Sequence, residues 1–306
     1  MNTCKRLSLW AMPVAIALAF MPALAARQDS QKTIYVTVLD ENNVPVTDLK
    51  PEEIGVFEGG VQRAIVSAKR ATAPMSILML GDTSKVAGGG GVDQRKTAQA
   101  AGEMIRDLRA AFSEFSKDIL AASPESELGV MEFGQAAILI TNFTSKPADI
   151  EKGITRLFPK PDADSVLLEA IMEGAKELDK RKNMRRAMIS INIEPGNEAS
   201  REPPNNILKG LAQSRAPLYS ISLQKGDLRD QRRGVVLPQL AQQTGGRHQI
   251  IVGQSALVGL AKGVAAGLIN QYEITYTRPA GPMPPGIQVG VLRQKAQIFA
   301  SRFPPQ

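Results

Sequence analysis

The sequence has few of the residues that carry covalent and metal chemistry. Its 306 residues include one cysteine, Cys4, one tryptophan, Trp10, and one histidine, His248. Cys4 and Trp10 both lie in "MNTCKRLSLWAMPVAIALAFMPALA". A short basic start, an apolar stretch and small residues at Ala23 and Ala25 predict a secretory signal peptide over 1–25, cut after Ala25. Pro13 and Pro22 interrupt the apolar run and no stop-transfer flank follows, which argues against a membrane anchor. Cleavage leaves a chain with no cysteine, which excludes disulfides, a thiol nucleophile and cysteine-ligated metal. Cys4 precedes the apolar core, which is the wrong place for lipid attachment.

Other absences narrow the function further. No Gly-x-Ser-x-Gly elbow is present, so a Ser/His/Asp hydrolase has only His248 to build on. That residue stands beside Arg247 at the head of "RHQIIVG", where the ordinary reading is a surface or strand-end residue. Net charge is +7, or +5 once Lys5 and Arg6 leave with the signal. No aromatic-interleaved basic patch accompanies this charge, so nucleic acid is not expected as a partner. The basic run "DKRKNMRR", 179–186, follows a helical pattern and reads as a solvated helix end. Asp162, Asp164 and Glu169 are closely spaced acids of the kind that solvate loops and helix starts, rather than a facing pair for glycoside chemistry. No internal repeat or low-complexity tract is visible.

What the chain does contain is alternating strand and helix signals. "TIYVTVLDENNVPV" and "EEIGVFEGGVQRAIVSAKR" are short strands parted by Asn, Gly and Pro turns. From Pro74 onward, the apolar runs "SILMLG", "ELGVMEFG", "AAILITNF", "RAMISINI", "PLYSISL" and "RHQIIVG" alternate with amphipathic stretches. Continuous apolar runs fit strands covered on both faces. In the longest amphipathic stretch Ala98, Ala101, Met104, Ile105, Leu108, Ala111, Phe112 and Phe115 form one helical face. The expected fold is α/β: a doubly wound, mostly parallel sheet, with a hairpin through Gly134 and Gln135 placing one antiparallel strand at its edge. The tail "QYEITYTRPAGPMPPGIQVGVLRQKAQIFASRF" returns to β texture and is expected to pack with the N-terminal β segment.

"SILMLGDTSKVAGGGG", residues 76–91, ends an apolar strand in Gly-Asp-Thr-Ser and a glycine tract. Ligands of open α/β sheets collect at the carboxyl ends of strands, where Asp82 and Ser84 fall. A phosphate-binding loop needs its lysine after the glycines, and Lys85 precedes them. A carboxylate and a hydroxyl two residues apart suit a hard divalent cation. An ordinary loop turned by Asp82 and Ser84 is the alternative.

Here the sequence resembles the von Willebrand factor type A domain, and more closely the secreted bacterial "VWFA-related" family with flanking β segments. "VPVTDLKPEEIGVFEGG", "ILMLGDTS", "LYSISL", "LAQQTGGR" and "INQYEITY" carry the resemblance across nearly the whole mature chain. It implies a signal peptide (1–25), an N-terminal β segment (26–72), the A-type domain (73–270) and a C-terminal β tail (271–306). It also implies a metal-ion-dependent adhesion site, Asp-x-Ser-x-Ser with a threonine and an aspartate from later loops. Asp82 and Ser84 match, and Ser165 stands for the threonine. Val86 replaces the second serine, and Ile193-Glu194 replaces Asp-Gly. The site is therefore expected to be degraded, with weak Mg2+ binding or none and no other cofactor, and Lys85 is expected to neutralise Asp82. The implied function is an exported, periplasmic or secreted non-enzymatic module that binds a protein through Asp82, Ser84, Lys85, Ser165 and Glu194. A secreted hydrolase using His248 with an acid, and a structural subunit of an envelope assembly, are the competing readings.

Overall fold

The computed structural model describes residues 29–85, 94–194, 196–224, 230–252 and 255–305; the signal segment and the whole glycine tract lie outside them. The chain opens with β1 (Ser30–Leu39), a 3₁₀ turn at Pro51–Glu53, β2 (Ile54–Glu58), β3 (Val61–Arg63) and β4 (Ile65–Arg70). The central layer follows as β5 (Met75–Asp82), α1 (Gln94–Ala122), β6 (Glu127–Phe133), β7 (Ala137–Thr144), α2 (Pro147–Thr155) and α3 (Leu167–Asp179). It continues through β8 (Arg185–Glu194), α4 (Pro204–Ser214), β9 (Leu218–Gln224), α5 (Gln231–Thr244), β10 (Arg247–Ile251) and α6 (Ala256–Ile269). The tail supplies β11 (Tyr272–Arg278), β12 (Ile287–Val291) and β13 (Gln297–Phe299).

Six strands form the central sheet in the order β10-β9-β8-β5-β6-β7. All neighbours are parallel except β7, which returns antiparallel beside β6 at the edge. The pleat divides the apolar run of β5 between two cores. Ile77 and Met79 pack with Leu108, Phe112 and Phe115 of α1, Ile154 of α2 and Ala261 of α6. Leu78 and Leu80 pack with Ile171 of α3, Leu211 of α4 and Leu237 of α5. Every residue of β5 is buried, which is why this strand shows no polar alternation. Burying each such Leu or Ile side chain stabilises the fold by about 1.5–3 kcal/mol.

The chain ends build two further sheets, β13-β1-β11-β4 and β12-β2-β3. β1 pairs antiparallel with β11 from Ser30↔Arg278 to Val36↔Tyr272, so the N-terminal and C-terminal strands close on each other as their β texture predicts. Their own core holds Val36, Val38, Val56, Ile274 and Tyr276. Arg185, 3% exposed at the start of β8, holds the link between the two units: its guanidinium donates to the carbonyls of Ala71 (3.3 Å) and Ala73 (2.6 Å) beyond β4 and of Leu268 (2.6 Å) in α6, and it lies 5.9 Å from the ring of Tyr35 on β1. Among the described residues no helix is long and apolar enough to cross a membrane.

Candidate functional site

Because β5, β6, β8, β9 and β10 all run one way, their carboxyl ends open at one edge, and β5 delivers Asp82, Thr83 and Ser84 there. Backbone bonds pin this turn down: Thr83 N–H donates to Phe133 O (2.9 Å), Lys160 N–H to Thr83 O (2.7 Å) and Lys85 N–H to Ala163 O (2.8 Å). Asp82 is fully buried. Its Oδ1 accepts from Ser84 N–H (3.0 Å) and Ser84 Oγ–H (2.5 Å), and its Oδ2 accepts from Ile193 N–H (2.9 Å).

The cation facing Asp82 is Arg233, not Lys85. Arg233 is 1% exposed and rises from the first turn of α5 into the space between the strand ends. Its Nη1 lies 3.7 Å from Asp82 Oδ2 and 3.3 Å from Glu194 Oε1, and donates to Ile193 O (3.2 Å). Its Nε donates to Glu198 Oε2 at 2.7 Å. Lys85 instead places its ammonium on Asp164 Oδ1 at 2.5 Å, where both side chains are about two-fifths exposed. Lys85 leaves the turn on the solvent side, whereas α5 points its first turn inward, so the expected neutralisation of Asp82 by Lys85 is corrected to Arg233.

The surrounding loops brace the carboxylates. Glu194 Oε2 accepts from the backbone N–H groups of Gly196 (3.3 Å) and Asp230 (3.2 Å). Glu198 Oε1 accepts from Leu168 N–H (3.4 Å) at the start of α3, where a negative charge complements the helix dipole. Asp230 caps α5 by accepting from Arg233 N–H (3.0 Å), and its other oxygen takes Glu198 N–H (3.1 Å). Ser165 is fully buried and bridged to Glu198, and its Oγ has no hydrogen-bond partner among the described residues. Gly196 is required here, since a Cβ at that position would stand 2.3 Å from Arg233 Nη1.

Burial pushes the carboxyl groups of Asp82 and Glu194 above their usual range, and the positive charge of Arg233 opposes that shift. Burial likewise disfavours the charged guanidinium, but Asp82, Glu198 and Glu194 outweigh it and hold its pKa above the ordinary value. Burial lowers His248 to about 4, so its imidazole is neutral at pH 7. Its Nδ1 has no hydrogen-bond partner among the described residues, and a hydrolytic triad needs that nitrogen oriented by an acid.

The residues present do not fit the divalent ion that the family resemblance implies. Magnesium needs oxygen ligands at about 2.0–2.1 Å. Here a guanidinium lies against the carboxylates, and the oxygens of Asp82 already accept from two amides and a hydroxyl. Among the described residues no group of three acids or histidines is arranged to hold a metal. Val86 lies outside the described residues. Of the positions expected at the partner surface, Lys85 reaches solvent, while Asp82, Ser84, Ser165 and Glu194 are buried beneath it.

No protein-family model matches the sequence, and no curated protein matches it. Among solved structures, the PilB minor pilin from Streptococcus sanguinis is similar, with a TM-score of 0.50 and 13% identity over 65% of this chain and 62% of that chain. The fold is von Willebrand factor A-like. A von Willebrand factor type A structure from Catenulispora acidiphila matches at a TM-score of 0.49 and 9% identity, over 90% of this chain and 74% of that one. Proximal thread matrix protein 1 from the mussel byssus matches at 0.49 and 17% identity, over 64% of this chain and 48% of that one. This chain therefore spans less than two thirds of the pilin and of the mussel protein. At such identities the likeness is one of fold.

Two members of the ion cluster escape a reading of the sequence. Arg233 is hidden because α5 begins at Gln231, well before the apolar spacing of "LPQLAQQTGG", and has Pro238 inside it. Asp230 ahead of "QRR" is the signal for that earlier start. Glu198 sits in a loop with no periodic signature, and nothing in its neighbours marks it.

Proposed function

We propose that this chain is an exported, non-enzymatic module that binds a protein partner through the carboxyl edge of its sheet, without a divalent cation. The observation that carries this reading is the rim laid over a closed ion cluster. Below the surface, Asp82, Glu194 and Glu198 are held by Arg233. Above it, the segment after α2 presents Phe158, 59% exposed and stacked by Arg109 at 4.6 Å, together with the Lys85–Asp164 pair. At the far end of the same edge, Val252 is 77% exposed just beyond β10. Exposed apolar side chains beside a polar pair are the composition of a protein-binding patch. A pilin and a byssal matrix protein among the similar folds are in keeping with an adhesion or structural module. A neutral His248 whose Nδ1 has no hydrogen-bond partner among the described residues gives no support to the hydrolase reading.

Capture from an envelope extract tests the proposal. The wild-type chain is expected to retain a specific protein in the presence of chelator, and the double variant Phe158→Ala, Lys85→Glu is expected to lose it at least about tenfold, the scale of a small hot spot. Capture that needs divalent cation sinks the metal-free reading. Capture unchanged by the double variant favours a structural subunit held through another face.

A further inference from the structure

We propose that Arg233 is the resident cation of the site: its guanidinium stands in for a metal ion, and its removal converts the carboxylate pocket into a receptor for a small exogenous cation. Three buried carboxylates, on Asp82, Glu194 and Glu198, converge on this one guanidinium from β5, the end of β8 and the loop beyond it. Asp82 and Glu194 are 0% and 3% exposed, so loss of the cation leaves their charges far less well compensated than in open water. The pocket is also shaped for a flat ion. Nη1, Cζ and Nη2 of Arg233 all lie within 2.8 Å of the point where a Cβ on Gly196 would stand, so a side chain there would displace the guanidinium from its present position. Nη2 and Ser165 Oγ, both buried, have no hydrogen-bond partner among the described residues, so the pocket keeps unused hydrogen-bonding capacity beside the guanidinium.

This arrangement has a functional consequence. An A-type site that relies on a soluble ion switches with the ion's concentration. A site whose cation is covalently part of α5 is loaded permanently and cannot be emptied by a chelator. The inference concerns what fills the pocket and stands apart from the partner reading, because Arg233 does not reach the rim and the rim variants leave it untouched.

The test compares wild type with Arg233→Ala. Thermal melting is followed in low-millimolar guanidinium chloride against equal sodium chloride, and free Mn2+ is followed by its paramagnetic resonance during titration. The wild-type protein is expected to show no guanidinium-specific shift and no Mn2+ uptake in the micromolar range. Arg233→Ala is expected to melt about 10 °C lower, from the loss of one partner of a buried ion cluster, and to recover a large part of that in guanidinium. If the variant does not accumulate in folded form, refolding from urea with and without guanidinium gives the same readout. Mn2+ uptake by wild type that Asp82→Ala abolishes overturns the proposal. So does an Arg233→Ala protein that is as stable as wild type, or one that guanidinium does not restore.

Discussion

Glu58 joins the two terminal sheets through single atoms. Its carboxylate is 1% exposed on β2 and accepts from Arg278 Nε (2.9 Å) and Nη2 (2.5 Å), Tyr276 Oη–H (2.5 Å) and Arg63 Nε (3.3 Å). Burial would raise its pKa, but the bonds from Arg278 and Tyr276 outweigh that and hold the carboxyl below its usual range. A group depressed in the folded state contributes stability at pH above its ordinary value of about 4.3 and loses it as pH falls through the folded value. Glu58→Gln is therefore expected to destabilise by about 3–5 kcal/mol at neutral pH, because it leaves Arg278 buried without its charge partner. Urea denaturation at several pH values checks this, and the gap between variant and wild type should narrow only on the acid side of that range. Spacing along the chain cannot pair Glu58 with Arg278 across 220 residues, so this contact was not legible in the sequence.

At the scale of elements, α5 decides the character of the site. Asp230 caps its N-terminus, and Gly245 closes its C-terminus at φ +82°, where a Cβ would stand 2.3 Å from the backbone of Ala300. Asp230→Ala removes the cap and the bond to Glu198 N–H, and is expected to cost about 1–2 kcal/mol in urea denaturation. A cost near zero would show that burial of Val236, Leu237 and Leu240 positions Arg233 unaided. The strands were readable because a doubly covered strand must be apolar throughout, and β5 is. The start of α5 has a local signal in Asp230, but Pro238 and Gly234 are helix breakers that speak against a helix there and that tertiary packing overrides.

Across the whole molecule, the tail completes sheets that the first residues begin. β11 lies between β1 and β4, and the tail also reaches the central layer, where Arg302 N–H donates to Gln243 O (2.9 Å). Ending the chain after Gln271 removes the strand between β1 and β4 and uncovers Val36 and Val38. The truncated chain is expected to accumulate as insoluble protein, measured as soluble yield and by circular dichroism. A soluble product melting with wild type would show that the central layer folds without the tail. The sequence by itself determined the alternation of strands and helices, the antiparallel edge hairpin, the pairing of the chain ends and the place of Asp82 at the carboxyl edge. These follow from apolar periodicity and turn chemistry, which are local. Only the tertiary structure decided which cation faces Asp82. Arg233 lies 151 residues further along the chain, and its approach depends on the room that Gly196 leaves and on low-dielectric burial, neither of which is written in a local pattern.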